Sequence, residues 1–167
     1  MSDRIEPSSQ ATPLRVCVDG RSHNVKVEPR TLLVQALREQ IGVTAPHIGC
    51  ESGRCGACSV VMDGKTVKSC MLLALQAEGS QIMTAQSMSD DPIGAALQRS
   101  FKACHGLQCG FCTPGMLAAA RALIVANPSP TEGDVRNALR GNLCRCTGYQ
   151  HIIEAVLDAA EELRGAA

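Results

Sequence analysis

The sequence predicts an α+β protein, with a small mixed sheet crossed by one helix in its first half and an all-helical second half. Three observations carry that expectation. The first half alternates apolar and polar residues on either side of Asp-Gly pairs, the second half repeats apolar residues every three to four positions, and the polar stretch Ala85–Asp91 interrupts both patterns.

Taken in order, Leu14–Val18 alternates, Asp19-Gly20 offers a type I′ turn, and His23–Glu28 alternates again, which reads as a hairpin. Behind Pro29-Arg30, Thr31–Ile41 spaces Leu33, Leu37 and Ile41 at i, i+4 and i+8 and stops at Gly42, the pattern of an amphipathic helix. Ala57–Met62, Asp63-Gly64 and Thr66–Ser69 repeat the hairpin, and Ile82–Thr84 offers one more strand. Pro92–Ala103 has helical periodicity. Pro114 suits a helix N1 position, and Met116–Ala126 continues until Asn127-Pro128 ends it. Thr131-x-x-Asp134 resembles a capping box for a helix reaching about Arg140, and Gln150–Arg164 makes the last helix before Gly165-Ala166-Ala167 frays. The expected organisation is two units, residues 14–88 and 89–164, between flexible tails at 1–13 and 165–167. Units of roughly 80 residues are marginal on core burial alone, so metal or disulfide staples are in keeping with them.

Composition narrows the function. The 167 residues balance 16 Lys+Arg against 16 Asp+Glu, which disfavours a nucleic-acid binder because such binding rests on clustered cations. Phe101, Phe111 and Tyr149 are the whole aromatic complement, too few for base-stacking platforms. No apolar run is long enough for a membrane span. The departure from the ordinary is ten cysteines. Residues 1–13 have no basic start, apolar stretch or twin arginine, so a cytoplasmic location is expected, save where a partner subunit carries an export signal. In that reducing setting, clustered cysteines bind metal or do redox chemistry more often than they form disulfides.

The first set is Cys50-x4-Cys55-x2-Cys58-x11-Cys70, the opening spacing of a plant-type [2Fe–2S] site. Soft thiolates select iron–sulfur clusters or zinc. Gly49, Gly53 and Gly56 interleave the ligands, allowing positive φ and bringing backbone amides close to sulfur. A four-cysteine zinc site is the competing reading, but it usually pairs two short knuckles. The second set, Cys109-x2-Cys112 with Cys144-x-Cys146, is ambiguous between zinc and iron–sulfur on spacing alone. Its context favours a cluster, because both pairs precede expected helices, whose N-terminal amides favour negative charge. Thioredoxin-like chemistry at Cys109-x-x-Cys112 lacks a surrounding βαβ pattern. Haem attachment is excluded because Thr113 follows Cys112 and Ser59 follows Cys58, and no histidine is spaced for Rieske ligation. Cys17 and Cys104 remain, expected to be buried small apolar residues.

With these motifs in view, GCESGRCGACSV, the run Gln108 to Gly115 (QCGFCTPG) and the run Gly141 to Tyr149 (GNLCRCTGY) resemble the signatures of the small iron–sulfur subunit of the molybdenum hydroxylase (xanthine dehydrogenase/oxidase) family, in its bacterial three-subunit form. The resemblance spans about Leu14 to Leu163 and departs at none of the eight cysteines. It implies a plant-type ferredoxin-like β-grasp domain followed by an all-α four-helix domain, each with one [2Fe–2S] cluster. It further implies that Cys50, Cys55, Cys58 and Cys70 hold the distal cluster, and Cys109, Cys112, Cys144 and Cys146 the proximal one. Cys146 and Gln108 would contact molybdopterin, in its cytosine dinucleotide form, bound by a large subunit. A medium subunit would hold FAD, and two heterotrimers would pair. The chain has no G-x-G-x-x-G and no room for a molybdenum or flavin domain, so it is expected to conduct electrons for partners rather than act alone. Substrate oxidation would send electrons from molybdopterin through the proximal and distal clusters to FAD.

The remaining candidates have blander roles. Arg140 and Arg145 are expected at the surface or in subunit contacts, and Tyr149 in a core, an interface or shielding a cluster. Leu72–Leu75 and Leu117–Ala122 are expected to pack, and the four histidines to be structural or exposed. A free-standing two-cluster ferredoxin, a zinc-stabilised interaction module and a cytosolic dithiol oxidoreductase are the competing functions.

Overall fold

The computed structural model describes residues 11–165. Of the expected tails, residues 1–10 and 166–167 lie outside the described residues. The first strand starts at Thr12, ahead of the anticipated Leu14, and Gly165 belongs to the last helix rather than to a tail.

Strands β1 (Thr12–Val18) and β2 (Arg21–Val27) pair antiparallel, with Val18 opposite Arg21. The two residues between them, Asp19 and Gly20, have φ of 51° and 75°, as a type I′ turn requires. Asp63 and Gly64, at 49° and 79°, make the same turn between β3 (Ser59–Met62) and β4 (Lys65–Lys68). Strand β5 (Gln81–Met83) joins the hairpins, running parallel to β1 and antiparallel to β3, so the sheet order is β2-β1-β5-β3-β4. The expected mixed sheet is present.

The helix across it differs from expectation. Helix α1 is α-helical only over Leu33–Gln35 and continues as a π-helical turn over Ala36–Gln40. Its start is held by Leu33 N–H donating to the Leu72 carbonyl, and its end by Ile41 N–H reaching back five residues to Ala36. The widened turn lets the segment bury two faces. Leu33, Ala36 and Leu37 pack on Leu14, Val16 and Val18 of β1, while Val34 packs behind Cys58 and Cys70. Of Leu72–Leu75, Ala74 is buried but Leu73 is exposed.

Helices α2 (Pro92–Ala103), α3 (Thr113–Ala126), α4 (Glu132–Ala138) and α5 (Gln150–Gly165) surround a second core of Leu97, Phe101, Met116, Ile152 and Val156. Each start has a local cause. Asp91 caps α2 by accepting the Gly94 N–H at 2.8 Å, and Thr131 and Asp134 form the anticipated reciprocal box at α4. Pro114 occupies the second helical position, not the first, because Cys112 is the N-cap. Helix α3 is buried from Gly115 to Ala120 because it lies between the sheet and the other helices, with Val61 of β3 in the helical core. Cys17 and Cys104 are half-buried rather than buried; Cys104 packs at the edge of the helical core.

Candidate metal centres

The first cysteine loop leaves α1 and runs under β3. Glu51, Gly53 and Gly56 all have positive φ, at 49°, 71° and 72°, which coils the loop and turns its amides inward. Cys50 Sγ receives the N–H groups of Ser52 at 3.4 Å and Cys55 at 3.3 Å. Hydrogen bonding from Ser52, then Cys55, lowers the Cys50 thiol to about 6. Gly49 needs no unusual φ; its smallness matters because a Cβ there would lie 2.9 Å from Cys55 Sγ. The Cys58 thiol lies deeper, pushed up to about 11 by burial, and the neighbouring Cys70 side chain adds to the rise. Burial likewise raises Cys55, which adjoins Cys50.

The second set assembles two segments. Cys109 and Cys112 precede α3; Cys144 and Cys146 lie on the loop between α4 and α5. Cys109 and Cys146 are exposed, with their sulfurs 3.5 Å apart. Cys112 adjoins Cys144 and is pushed up to about 12, first by burial and then by that neighbour. Burial also works against ionisation of Cys144, but hydrogen bonds from Thr147 outweigh it and the thiol sits below its ordinary value. Tyr149 has a structural place here: its hydroxyl accepts the Cys144 N–H at 2.9 Å and donates to the Asn142 carbonyl at 3.2 Å. Gln108, Arg140 and Arg145 are exposed at the margin of the set.

Contacts invisible to spacing arguments join the two loops. Leu143 N–H donates to the Cys55 carbonyl at 2.9 Å, and Asn142 Nδ2 donates to the Gly56 carbonyl at 3.3 Å. A Cβ on Gly115 would lie 2.0 Å from the Gly56 carbonyl oxygen, so only glycine lets α3 come this close. The His47 ring stacks on Phe111 at 4.7 Å, and its Nδ1 hydrogen-bonds the Phe111 carbonyl at 2.8 Å. Lys68 donates to the carbonyls of Gly53 and Gly141, one from each loop.

This arrangement suits two-iron clusters. All ten cysteines are free, and among the described residues no three His, Cys, Asp or Glu side chains gather about one ion position. The sulfurs approach in twos instead: Cys50 with Cys55, Cys58 with Cys70, Cys109 with Cys146, and Cys112 with Cys144. A [2Fe–2S] cluster asks for two thiolates on each iron. Two sulfurs bound tetrahedrally at about 2.3 Å stand roughly 3.8 Å apart, close to the 3.5 Å between Cys109 and Cys146. Beside Cys112, the Thr113 hydroxyl is buried with no hydrogen-bond partner, a donor that cluster sulfur would satisfy.

Comparison with known proteins agrees. Residues 16–89 match a family described as a 2Fe-2S iron-sulfur cluster binding domain, and residues 81–157 match a [2Fe-2S] binding domain. The chain is 49% identical over 162 residues to the nicotine 6-hydroxylase small subunit of Paenarthrobacter nicotinovorans, covering 97% of this chain and 93% of that protein. It is 44% identical over 146 residues to the caffeine dehydrogenase subunit gamma of Pseudomonas sp. (strain CBB1), covering 86% and 87%. Among solved structures, a chain of quinoline 2-oxidoreductase from Pseudomonas putida 86 superposes with a TM-score of 0.88 at 47% identity, covering 94% of this chain and 98% of that one.

Proposed function

The chain belongs to the family of small iron–sulfur subunits of the molybdenum hydroxylases, and from that premise we propose that it conducts electrons from a molybdopterin-binding large subunit to FAD in a medium subunit. The observation that carries the proposal is the meeting of two paired-cysteine loops through the Cys55–Leu143 hydrogen bond. On this reading residues 14–88 form a ferredoxin-like β-grasp unit and residues 89–164 a four-helix unit. Cys50, Cys55, Cys58 and Cys70 hold the distal cluster, and Cys109, Cys112, Cys144 and Cys146 the proximal one. Each cluster, when bound, takes up and releases one electron at a time.

The chain's own residues do three things in this scheme. The glycine-coiled loop and the Ser52 and Cys55 amides direct N–H groups at Cys50 sulfur, which favours thiolate and tunes the site's potential. The hydrogen bonds at Cys55, Gly56 and Gly53 fix the spacing between the two loops. Exposed Cys109 and Cys146 lie among Leu107, Phe111 and Leu143, which are 41%, 47% and 58% exposed. That apolar rim around surface sulfur supports docking of the large subunit there, with Gln108 and Cys146 toward the molybdopterin, in its cytosine dinucleotide form. The assembled enzyme is a pair of heterotrimers in the cytoplasm, and no described helix is long and apolar enough to cross a membrane. Two relatives that the chain matches over 93% and 87% of their length are named for nicotine and caffeine, so N-heteroaromatic compounds are the first substrates to offer the complex.

Native purification tests the proposal. Two larger subunits should co-migrate, with iron and acid-labile sulfide at about four each per small subunit and two EPR signals on reduction. Zinc without sulfide would overturn the cluster assignment. A particle of the chain's own 17.6 kDa carrying both clusters would establish a free ferredoxin instead.

A further inference from the structure

Lys68 ends strand β4, two residues before Cys70 and on the same face of the strand as Thr66. Thr66 Oγ1 donates to the Ala118 carbonyl of α3, so this face looks toward the helical half. Lys68 is a half-buried residue whose ammonium donates to the Gly53 carbonyl, between Cys50 and Cys55, and at 3.0 Å to the Gly141 carbonyl, just ahead of Cys144. Gly141 makes room for it, since a Cβ there would lie 3.1 Å from Lys68 Nζ. Among the described residues no carboxylate lies within ion-pair distance of Lys68. A half-buried cation held by neutral carbonyls alone has lost hydration without gaining a counter-charge, which is unfavourable unless negative charge lies nearby. Both cysteine sets supply that charge once loaded.

We propose that Lys68 is a positioning residue that raises the reduction potentials of both clusters, the Cys50–Cys70 set most. This rests on the cluster reading above. One-electron reduction adds one negative charge at either position, and a fixed ammonium between them stabilises the reduced form of each. The effect is larger at the first set because Lys68 precedes Cys70 by two residues and contacts the loop between Cys50 and Cys55. Exposed Arg54, Arg140 and Arg145 contribute less because water and salt screen them.

EPR-monitored redox titration of the purified complex tests this, comparing wild type with Lys68→Arg, Lys68→Gln and Lys68→Met. The expected result is that Lys68→Gln and Lys68→Met keep both signals while the Cys50–Cys70 midpoint falls by roughly tenfold in reduction equilibrium, about 59 mV for a one-electron couple. The other midpoint falls less, and Lys68→Arg, which keeps the charge, stays near wild type. Unchanged midpoints in Lys68→Gln and Lys68→Met would overturn the proposal. So would equal falls, or loss of a signal, in Lys68→Arg and Lys68→Gln together, because that pattern assigns the residue to packing. A wild-type complex with no [2Fe–2S] signals would instead overturn the cluster reading, and this inference with it.

Discussion

The backbone N–H of Leu143 donates to the carbonyl of Cys55 at 2.9 Å, linking the residue before Cys144 directly to a cysteine of the other loop. One hydrogen bond thus separates two short covalent paths, each ending on a cysteine sulfur.

Leu143→Pro removes the N–H and leaves the carbonyl unpaired. Asn142 is extended, at φ −127° and ψ 115°, a conformation that tolerates a following proline. The variant should fold with a loss of about 1 kcal/mol, keep both cluster signals, and equilibrate electrons between them several-fold more slowly. Rapid-mixing freeze-quench EPR reads that rate, and a rate equal to wild type would show that the contact only positions the loops.

Gly115→Ala places a methyl group 2.0 Å from the Gly56 carbonyl oxygen, a backbone atom that cannot rotate away. The expected cost is at least the roughly 1–3 kcal/mol of an overpacked core. Thermal unfolding should begin earlier, and iron retention should fall at the first loop as well as the second, although Gly115 follows only the second. Normal iron content with normal stability would mean that the two halves separate easily.

Cys146→Ser should abolish one EPR signal and stop reduction of the terminal acceptor, while Cys55→Ser should alter only the other signal. On the proposed grouping the two substitutions fall in different sites, since Cys146 lies 3.5 Å from Cys109 while Cys55 adjoins Cys50. If Cys55→Ser removed the signal lost in Cys146→Ser and spared its companion, the grouping of ligands would be wrong.

Asp91→Asn tests the ion pair between α2 and α3. Arg121 forms two hydrogen bonds to Asp91, both 2.9 Å, with the side chains 18% and 15% exposed. Arg121, then the Gly94 N–H, holds the Asp91 carboxyl below its ordinary range against the opposing effect of burial. The folded state therefore binds this proton less readily than the unfolded chain. The resulting stability is present above the unfolded carboxylate pKa of about 3.9 and is lost as pH falls through the lower folded value. Asp91→Asn should cost about 1.5–3 kcal/mol at neutral pH, and the gap from wild type should close in acid. Denaturant unfolding at several pH values measures both; a gap independent of pH would assign the cost to helix capping alone.

What could be read from the chain was mostly local. Asp19-Gly20 and Asp63-Gly64 each hold the two adjacent positive-φ residues of a tight turn, and Thr131 with Asp134 completes a cap within one helical turn, so each is visible as a short motif. The cysteine spacings carried the chemistry for a similar reason, since a C-x2-C loop brings its own donors together. Contacts across the halves had no such signal. Nothing near Cys109 marks Cys146, 37 positions away, as its neighbour rather than Cys144. Lys68 reads as one more surface lysine until Gly53 and Gly141 converge on it. The π-helical end of α1 was hidden because distant chain dictates it: Leu72 holds its start, and Val34 must reach Cys58 and Cys70 while Leu37 reaches β1.

The carbonyls of Gly53, Cys55 and Gly56 all accept hydrogen bonds from groups outside their own loop: Lys68, Leu143 and Asn142. Two of those donors lie on the segment that carries Cys144 and Cys146. The backbone of each cysteine loop therefore rests on the other, and a shift in one is transmitted to the other through these hydrogen bonds.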